Sequence, residues 1–307
     1  MKKIILGALL VLLLVVGVVF GFSAGKKPQA LTKNTSTVSV SHPSEPAANL
    51  PLLKIDATSV SADRVFLVSD IHGRFDSLKK ALSDVKFSKK DALYVLGDTI
   101  DRGPGGFHAL LYLTQTLPTA GYQVHVLQGN HEDMWAAMAA QGANDAEQLS
   151  NLNGAIDIYE GSAPNGWAAS QTEWNALSAA ERAFLLSEMK TGFGNPRELI
   201  IHYGGKWLSL SHSANMAESL SDESAWDLAW NNRNMINAPA TLRDSIAKRL
   251  SVNAYDVQIY IGHISNFMFG THPNYTDLDD TPVQSTLEEF DATPVKLFNV
   301  RAQSFEN

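Results

Sequence analysis

Three short polar stretches of this chain combine the residue types that bind metal ions and move protons. They read Ser69-Asp70-Ile71-His72-Gly73, Gly97-Asp98-Thr99-Ile100-Asp101-Arg102-Gly103 and Gly129-Asn130-His131-Glu132. A hard carboxylate beside an imidazole suits Mn, Fe or Zn better than Ca or Mg. Asp98 has two oxygens and can bridge two ions, Asn130 offers a neutral amide oxygen, and His212 and His263 add imidazoles further along. Together Asp70, His72, Asp98, Asn130, His212 and His263 make a ligand set large enough for two ions about 3.5–4 Å apart. Such a pair lowers the pKa of a bridging water and clamps a phosphoryl group for in-line attack.

These residues need elements that bring them together. Each of the three stretches follows an apolar run that reads as a buried strand: Arg64 to Ser69, Ala92 to Leu96 and Gln123 to Gln128. They recur about 30 residues apart, the length of one βαβ unit. Asp70 and His72 lie two residues apart at a strand end, so continued extended geometry would point both the same way. Leu78, Ala81, Leu82 and Val85 follow at helical spacing, with Asp76 as the expected N-cap. A second helix is expected to open at Pro104 and end before Pro118. Leu199 to Tyr203 and Lys206 to Ser211, joined by Gly204-Gly205, read as a hairpin ending on His212. Asp256 to Ile261 forms another strand, ending on Gly262-His263, and Val295 to Val300 a last one. His202 is a rival to His212, which lies just past the second strand of the hairpin.

Composition sets the outer limits. The chain has 307 residues, 45% of them hydrophobic, which is enough for a sizeable core. A net charge of -8 argues against general nucleic-acid binding, because no basic excess neutralises phosphates. There is no cysteine, so disulfides, thiolate metal sites and cysteine nucleophiles are excluded and any metal is held by nitrogen and oxygen. Ile4 to Phe22 carries no charge and is long enough to cross a bilayer of about 30 Å. Residues 1–25 are therefore expected to be a membrane anchor, inserted through residues 4–24, or else a cleaved signal. The rest would be exported: held at the inner membrane, or periplasmic or secreted after cleavage. Residues 26–61, rich in Ser, Thr, Pro and Ala, read as a flexible tether. A catalytic domain is expected over 62–307, with a mostly helical insertion at about 141–195 that could cover one side of the site.

The three stretches, together with His212 after a strand and Gly262-His263, resemble the calcineurin-like metallophosphoesterases. Within them the chain is similar to the phosphoprotein phosphatase branch, including its bacterial serine/threonine and tyrosine phosphatases, over roughly residues 65–263. The resemblance implies an α/β fold, a two-sheet mixed β sandwich flanked by helices. It implies two divalent or trivalent ions (Mn, Fe or Zn), one held by Asp70, His72 and Asp98, the other by Asp98, Asn130, His212 and His263. It implies that His131 is the general acid, oriented by Asp101, and that Arg102 and Arg233 grip the phosphate. An imidazole beside a carboxylate is favoured in its protonated form, as an acid requires. The chain departs from the family pattern at Ser69, where Gly is usual, at Ser213-Ala214 after His212, and at Ile264 after His263.

The expected function is that of a protein phosphatase, phosphomonoester hydrolysis by a metal-bridging hydroxide, with a phosphorylated protein or small phosphoester as substrate. The alternatives are hydrolysis of a dinucleoside polyphosphate and, from a different class, a membrane-tethered binding protein without turnover.

Overall fold

The computed structural model describes residues 53–140, 167–213, 239–263, 269–272, 275–281 and 292–306. The strands are β1 (Leu53–Ser59), β2 (Val65–Val68), β3 (Ala92–Val95), β4 (Gln123–Val126), β5 (Glu198–Tyr203), β6 (Lys206–Ser211), β7 (Val257–Ile261), β8 (Gly270–Thr271), β9 (Thr276–Asp277), β10 (Leu297–Asn299) and β11 (Ser304–Glu306). The helices are α1 (Phe75–Asp84), α2 (Gly106–Leu111), α3 (Asn130–Ala140), α4 (Trp167–Ala176), α5 (Ala179–Lys190) and α6 (Pro239–Leu250). Two mixed sheets form, in the orders β1-β5-β6-β7-β9-β8 and β11-β10-β2-β3-β4.

The period of two along each strand decides what lies between the sheets. Val65 and Leu67 of β2, with Ala92, Tyr94 and Leu96, share one cluster with Leu199, Ile201, Leu208, Leu210 and Tyr260 of the other sheet. Their neighbours Phe66, Val68, Leu93 and Val95 point the opposite way, into a cluster with Leu78 and Leu82 of α1 and Phe107 and Leu110 of α2. The far side of the other sheet, through Ile200, Ile259 and Ile261, packs on Leu242 and Ile246 of α6. Strands buried on both faces read as unbroken apolar runs, as β2 and β3 do. Each fully buried Leu or Ile adds about 1.5–3 kcal/mol, so β2 and β3 are held rigidly up to their last residues.

β2, β3 and β4 run parallel, so their C-terminal ends lie along one edge of the layer. β6 and β7 are parallel too, and Gly262 donates to the His212 carbonyl at 2.8 Å just beyond them. The hairpin expected at Gly204-Gly205 is present, with both glycines at positive φ (59° and 81°).

Four local expectations change. Residues 53–59, expected within the tether, form β1 and pair in parallel with β5, Leu53 opposite Glu198 and Ile55 opposite Ile200. The alternation Leu53-Lys54-Ile55-Asp56 has the period of a strand, but it is too short to stand out beside Pro51. Asp76 lies inside the first turn of α1, and the capping position is Arg74, which makes no side-chain cap bond. The helix expected to stop before Pro118 continues past it. A π turn at Tyr112–Thr116 precedes a last turn, Leu117–Thr119, and this wider turn accommodates a residue with no N–H to donate. Asp70 and His72 are not extended, as described below.

The described part of the expected insertion is helical, with α4 and α5 joined at Ser178, whose hydroxyl and Glu181 form a capping box. Residues 4–24 lie outside the described residues. Among the described residues no helix is long and apolar enough to cross a membrane.

Candidate active site

Five strand ends deliver the site. Asp70 and His72 follow β2, Asp98 follows β3, Asn130 opens α3 after β4, His212 follows β6 and His263 follows β7. The chain turns sharply at most of these ends: Asp70 (φ 53°), His72 (47°), Asp98 (53°), Asp101 (67°), Arg102 (64°) and His263 (69°) all sit in the left-handed region. Such backbone costs of order 1–3 kcal/mol per residue and persists where the surroundings over-determine it. Asp70 and His72 therefore converge through two left-handed residues and not through strand alternation, with His72 Nε2 3.7 Å from Asp70 Oδ1.

The loops are tied by main-chain bonds. Asp70 donates to Gly97 O at 3.0 Å, His72 to Asp98 O at 2.9 Å and Gly103 to His72 O at 2.9 Å. Glu132 accepts from four backbone amides: Asp98 at 2.9 Å, Thr99 at 2.8 Å, Ile100 at 3.2 Å and Gly129 at 3.0 Å. It is fully buried and holds the Asp98 loop against the start of α3. Glu132 ends the third polar stretch, where its residue type alone gives it no task. Its one visible signal was an acidic residue in the first turn of a helix, where backbone donors point outward.

Asp98 lies at the centre. Its Oδ2 is 3.6 Å from His72 Nε2, 3.8 Å from His131 Nε2 and 3.3 Å from His212 Nε2. Two groups of nitrogen and oxygen atoms, each within 4.8 Å of one another, share it: His72, Asp98 and His131, and Asp98, His212 and His263. His263 stands edge-on to His212, ring centroids 5.1 Å apart, and its backbone N–H donates to Asp70 Oδ2 at 3.0 Å.

The donor set fits metal ions on two counts. His72 Nδ1 is 2.9 Å from Ile100 O and His212 Nδ1 is 2.8 Å from Leu96 O. A carbonyl can only accept, so both rings carry a proton on Nδ1 and aim Nε2 at carboxylates, the arrangement that orients metal-binding histidines. His212 Nε2 also meets Asn130 Oδ1 at 2.8 Å, so three acceptors converge where a cation belongs. The second count is steric. A Cβ on Gly129 would lie 2.1 Å from Asp98 Oδ1, and one on Gly262 would lie 2.2 Å from Asp70 Oδ2. Both glycines make room for a carboxylate.

The buried charges perturb one another, and a proton on His212 stands among the converging acceptors. Burial opposes ionisation of Asp98, yet His212 and His131 hold its carboxyl well below the usual range. Burial also opposes protonation of His212, and Asp98 nonetheless raises it to about 9. Burial, then the Arg102 charge, hold His72 well below its ordinary value. Burial, then Asp279, push Asp70 well up. Asp277 ends the short strand β9, where it pairs with Ile261, and Asp279 lies two residues beyond. Burial, then Asp279, push Asp277 to about 9. The sequence carried no usable signal for this acidic neighbour of Asp70, since β8 and β9 are two residues each.

His131 is completely buried and its Nδ1 lies 2.7 Å from Asp101 Oδ2. Asp101 Oδ1 accepts from Trp135 Nε1 at 3.0 Å. His202 is removed from the site, with Nδ1 2.8 Å from Ser59 Oγ on the β1–β5 edge. Arg233 lies outside the described residues. Nine of the ten expected site residues thus gather around Asp98 or the Asp101–His131 pair.

Residues 63–267 match the Calcineurin-like phosphoesterase family. The chain is 35% identical over 96 residues to a symmetrical bis(5'-nucleosyl)-tetraphosphatase of Hamiltonella defensa, covering 30% of this chain and 34% of that protein. It is 41% identical over 71 residues to serine/threonine-protein phosphatase 1 of Salmonella typhimurium, covering 23% of this chain and 30% of that one. These matches span about a third of the relatives' length. A solved protein serine/threonine phosphatase from Saccharomyces cerevisiae shares the fold, with TM-score 0.51 at 12% identity, over 84% of this chain and 78% of that one. A family match over two thirds of the chain, carried by a gathered set of aspartates and histidines, makes this protein a member of the calcineurin-like phosphoesterase family.

Proposed function

We propose that this phosphoesterase hydrolyses the phosphoric anhydride of a dinucleoside polyphosphate, ahead of the phosphomonoester reading favoured by sequence alone. The reaction type rests on one observation, the buried His131–Asp101 pair beside the shared Asp98. The substrate class is supported by similarity to symmetrical bis(5'-nucleosyl)-tetraphosphatases. Two ions, held by Asp70, His72, Asp98, Asn130, His212 and His263, would supply Lewis-acid activation of water and neutralise phosphoryl charge.

The protein's own groups do the rest. An oxygen of water bonds to phosphorus as the bridging P–O bond breaks, His131 Nε2 gives its proton to the leaving phosphate oxygen, and the proton that the water gives up passes to solvent, from which His131 is reprotonated. Asp101 holds the opposite proton of the ring at Nδ1 and stabilises the imidazolium before transfer. Arg102 presents a guanidinium that pairs with two phosphate oxygens at once. Arg233 is proposed as its counterpart. Hydrolysis of phosphoprotein or another monoester is the second reading, supported by similarity to a protein phosphatase.

The test is a set of parallel rates for the full chain with Mn, Fe and Zn, on diadenosine tetraphosphate, a phosphopeptide and an aryl phosphate. Release of nucleoside diphosphate at the highest kcat/KM is expected. Faster phosphopeptide cleavage reverses the order of the two readings, and metal binding without any turnover supports a binding protein instead. We also propose that the apolar run from Ile4 to Phe22 places the enzyme at a membrane or in an exported space. Recovery of the full chain in the soluble fraction of lysed cells, unprocessed, would count against it.

A further inference from the structure

Asp101 is completely buried and has two oxygens to satisfy. Oδ2 faces His131 Nδ1 at 2.7 Å, and Oδ1 accepts from the indole N–H of Trp135 at 3.0 Å. Trp135 lies four residues after His131 on α3, so both side chains rise from one face of one helix and meet the same carboxylate. That makes a three-point arrangement: two donors fixed on a helix, and an acceptor fixed on the left-handed turn at Asp101 (φ 67°).

Trp135 is itself locked. Its ring stands edge-on to Phe107, centroids 4.8 Å apart, and against Trp174 of α4 at 5.3 Å. Phe107 contacts Trp174 as well, at 4.9 Å. Glu173, next to Trp174, accepts from the backbone N–H of Phe107 at 3.0 Å and of His108 at 2.8 Å. The α4 helix thus grips α2 through Glu173 and braces Trp135 through Trp174.

From this geometry we propose that Trp135 is a positioning residue for the proton donor His131, acting through Asp101, and that the α4 segment supports it through Trp174. The assignment rests on the acid role of His131 in the proposed hydrolysis. Without the indole N–H, the carboxylate is free to rotate and the imidazole loses its fixed aim at the leaving oxygen. The loss matters most when the leaving group needs the proton most.

Two measurements on Trp135→Phe test this, since phenylalanine keeps an aromatic ring and removes only the donor and part of its bulk. The first compares kcat/KM on phenyl phosphate, whose leaving phenolate is strongly basic, with that on 4-nitrophenyl phosphate, whose leaving group is not. The ratio should fall about tenfold relative to the parent, a fraction of the 10²–10⁴ that a general acid contributes. Trp174→Ala should move the ratio the same way by less. Equal losses on both substrates would reduce Trp135 to a packing residue.

The second measurement is proton NMR of the full chain. The Trp135 indole N–H, identified by its absence in Trp135→Phe, should shift in Asp101→Asn, and the His131 Nδ1 proton should shift in Trp135→Phe. No shift in either overturns the proposal. Because these resonances need no turnover, inactivity towards both phosphates together with the expected shifts would count against the phosphomonoester reading alone.

Discussion

The two sheets contribute to the site in different ways. The β2-β3-β4 side supplies its groups as contiguous clusters on three successive loops: Asp70 with His72, Asp98 with Asp101 and Arg102, and Asn130 with His131 and Glu132. The other sheet supplies lone histidines, His212 and His263, separated by 51 positions and joined by the parallel pairing of β6 with β7. A cluster places its members by local turns, whereas a lone residue depends on the register of long-range strands. The first kind announces itself in sequence, and the second is recognisable only by what it lies next to.

Three changes probe that difference, in descending order of expected effect. Asp98 serves both sides, so Asp98→Asn should lower turnover by roughly 10³-fold, the upper range for removing one transition-state-stabilising group. His72→Ala and His212→Ala should each cost about one of two bound ions, one from each side. Metal analysis beside kcat is the measurement. Full metal content in Asp98→Asn would break the view of a shared carboxylate.

Glu132 tests how the cluster side is braced. Glu132→Gln turns one acceptor oxygen into a donor facing backbone amides, which should cost about 1–3 kcal/mol of stability. Metal affinity should weaken roughly 10–100-fold, as for other groups that orient ligands. Thermal melting and metal titration read the two effects separately, and loss of stability with unchanged affinity would confine Glu132 to folding.

The smallest effect lies at the opposite ends of the same strands. Arg64, just before β2, donates to both oxygens of Asp91, just before β3, at 3.0 and 2.8 Å. Burial works against ionisation of Asp91, but Arg64 and Ser88 outweigh it and hold its carboxyl below the usual range. A depressed carboxylate stabilises the fold above its unfolded pKa of about 3.9 and loses that contribution as pH falls through the folded value. Arg64 is about one-third exposed, so Arg64→Met should cost about 1 kcal/mol at neutral pH. Urea melts from pH 7 down to pH 3 should show the difference shrinking at the acid end, with metal content unaltered. A loss independent of pH would assign Arg64 a packing role.

How much was legible follows the same division. The three apolar strands and their loops were readable because buried parallel strands are unbroken apolar runs and because metal-binding residue types are rare in such company. The preference for His212 over His202 needed the hairpin, and the structure gives its reason: His202 lies within β5 opposite Trp207, while His212 lies past the end of β6. Trp135 belongs to none of the three polar stretches. Its spacing from His131 was visible, but the partner that gives the spacing meaning, Asp101, lies 34 residues earlier. Asp277 and Asp279 were invisible, because two-residue strands have no period to detect.

The amino-acid sequence alone determined the family, the layered α/β architecture and the identity of the groups that gather at the strand ends. Those follow from local hydrophobic period and from side-chain chemistry, which do not depend on distant contacts. Only the tertiary structure decided how the groups meet: Asp70 and His72 turned by left-handed backbone, Asp98 set between two histidine-bearing sides, and His131 held through Asp101 to a tryptophan braced by α4. Strained turns and shared carboxylates exist only where many distant bonds hold them, and no single stretch of sequence encodes that sum.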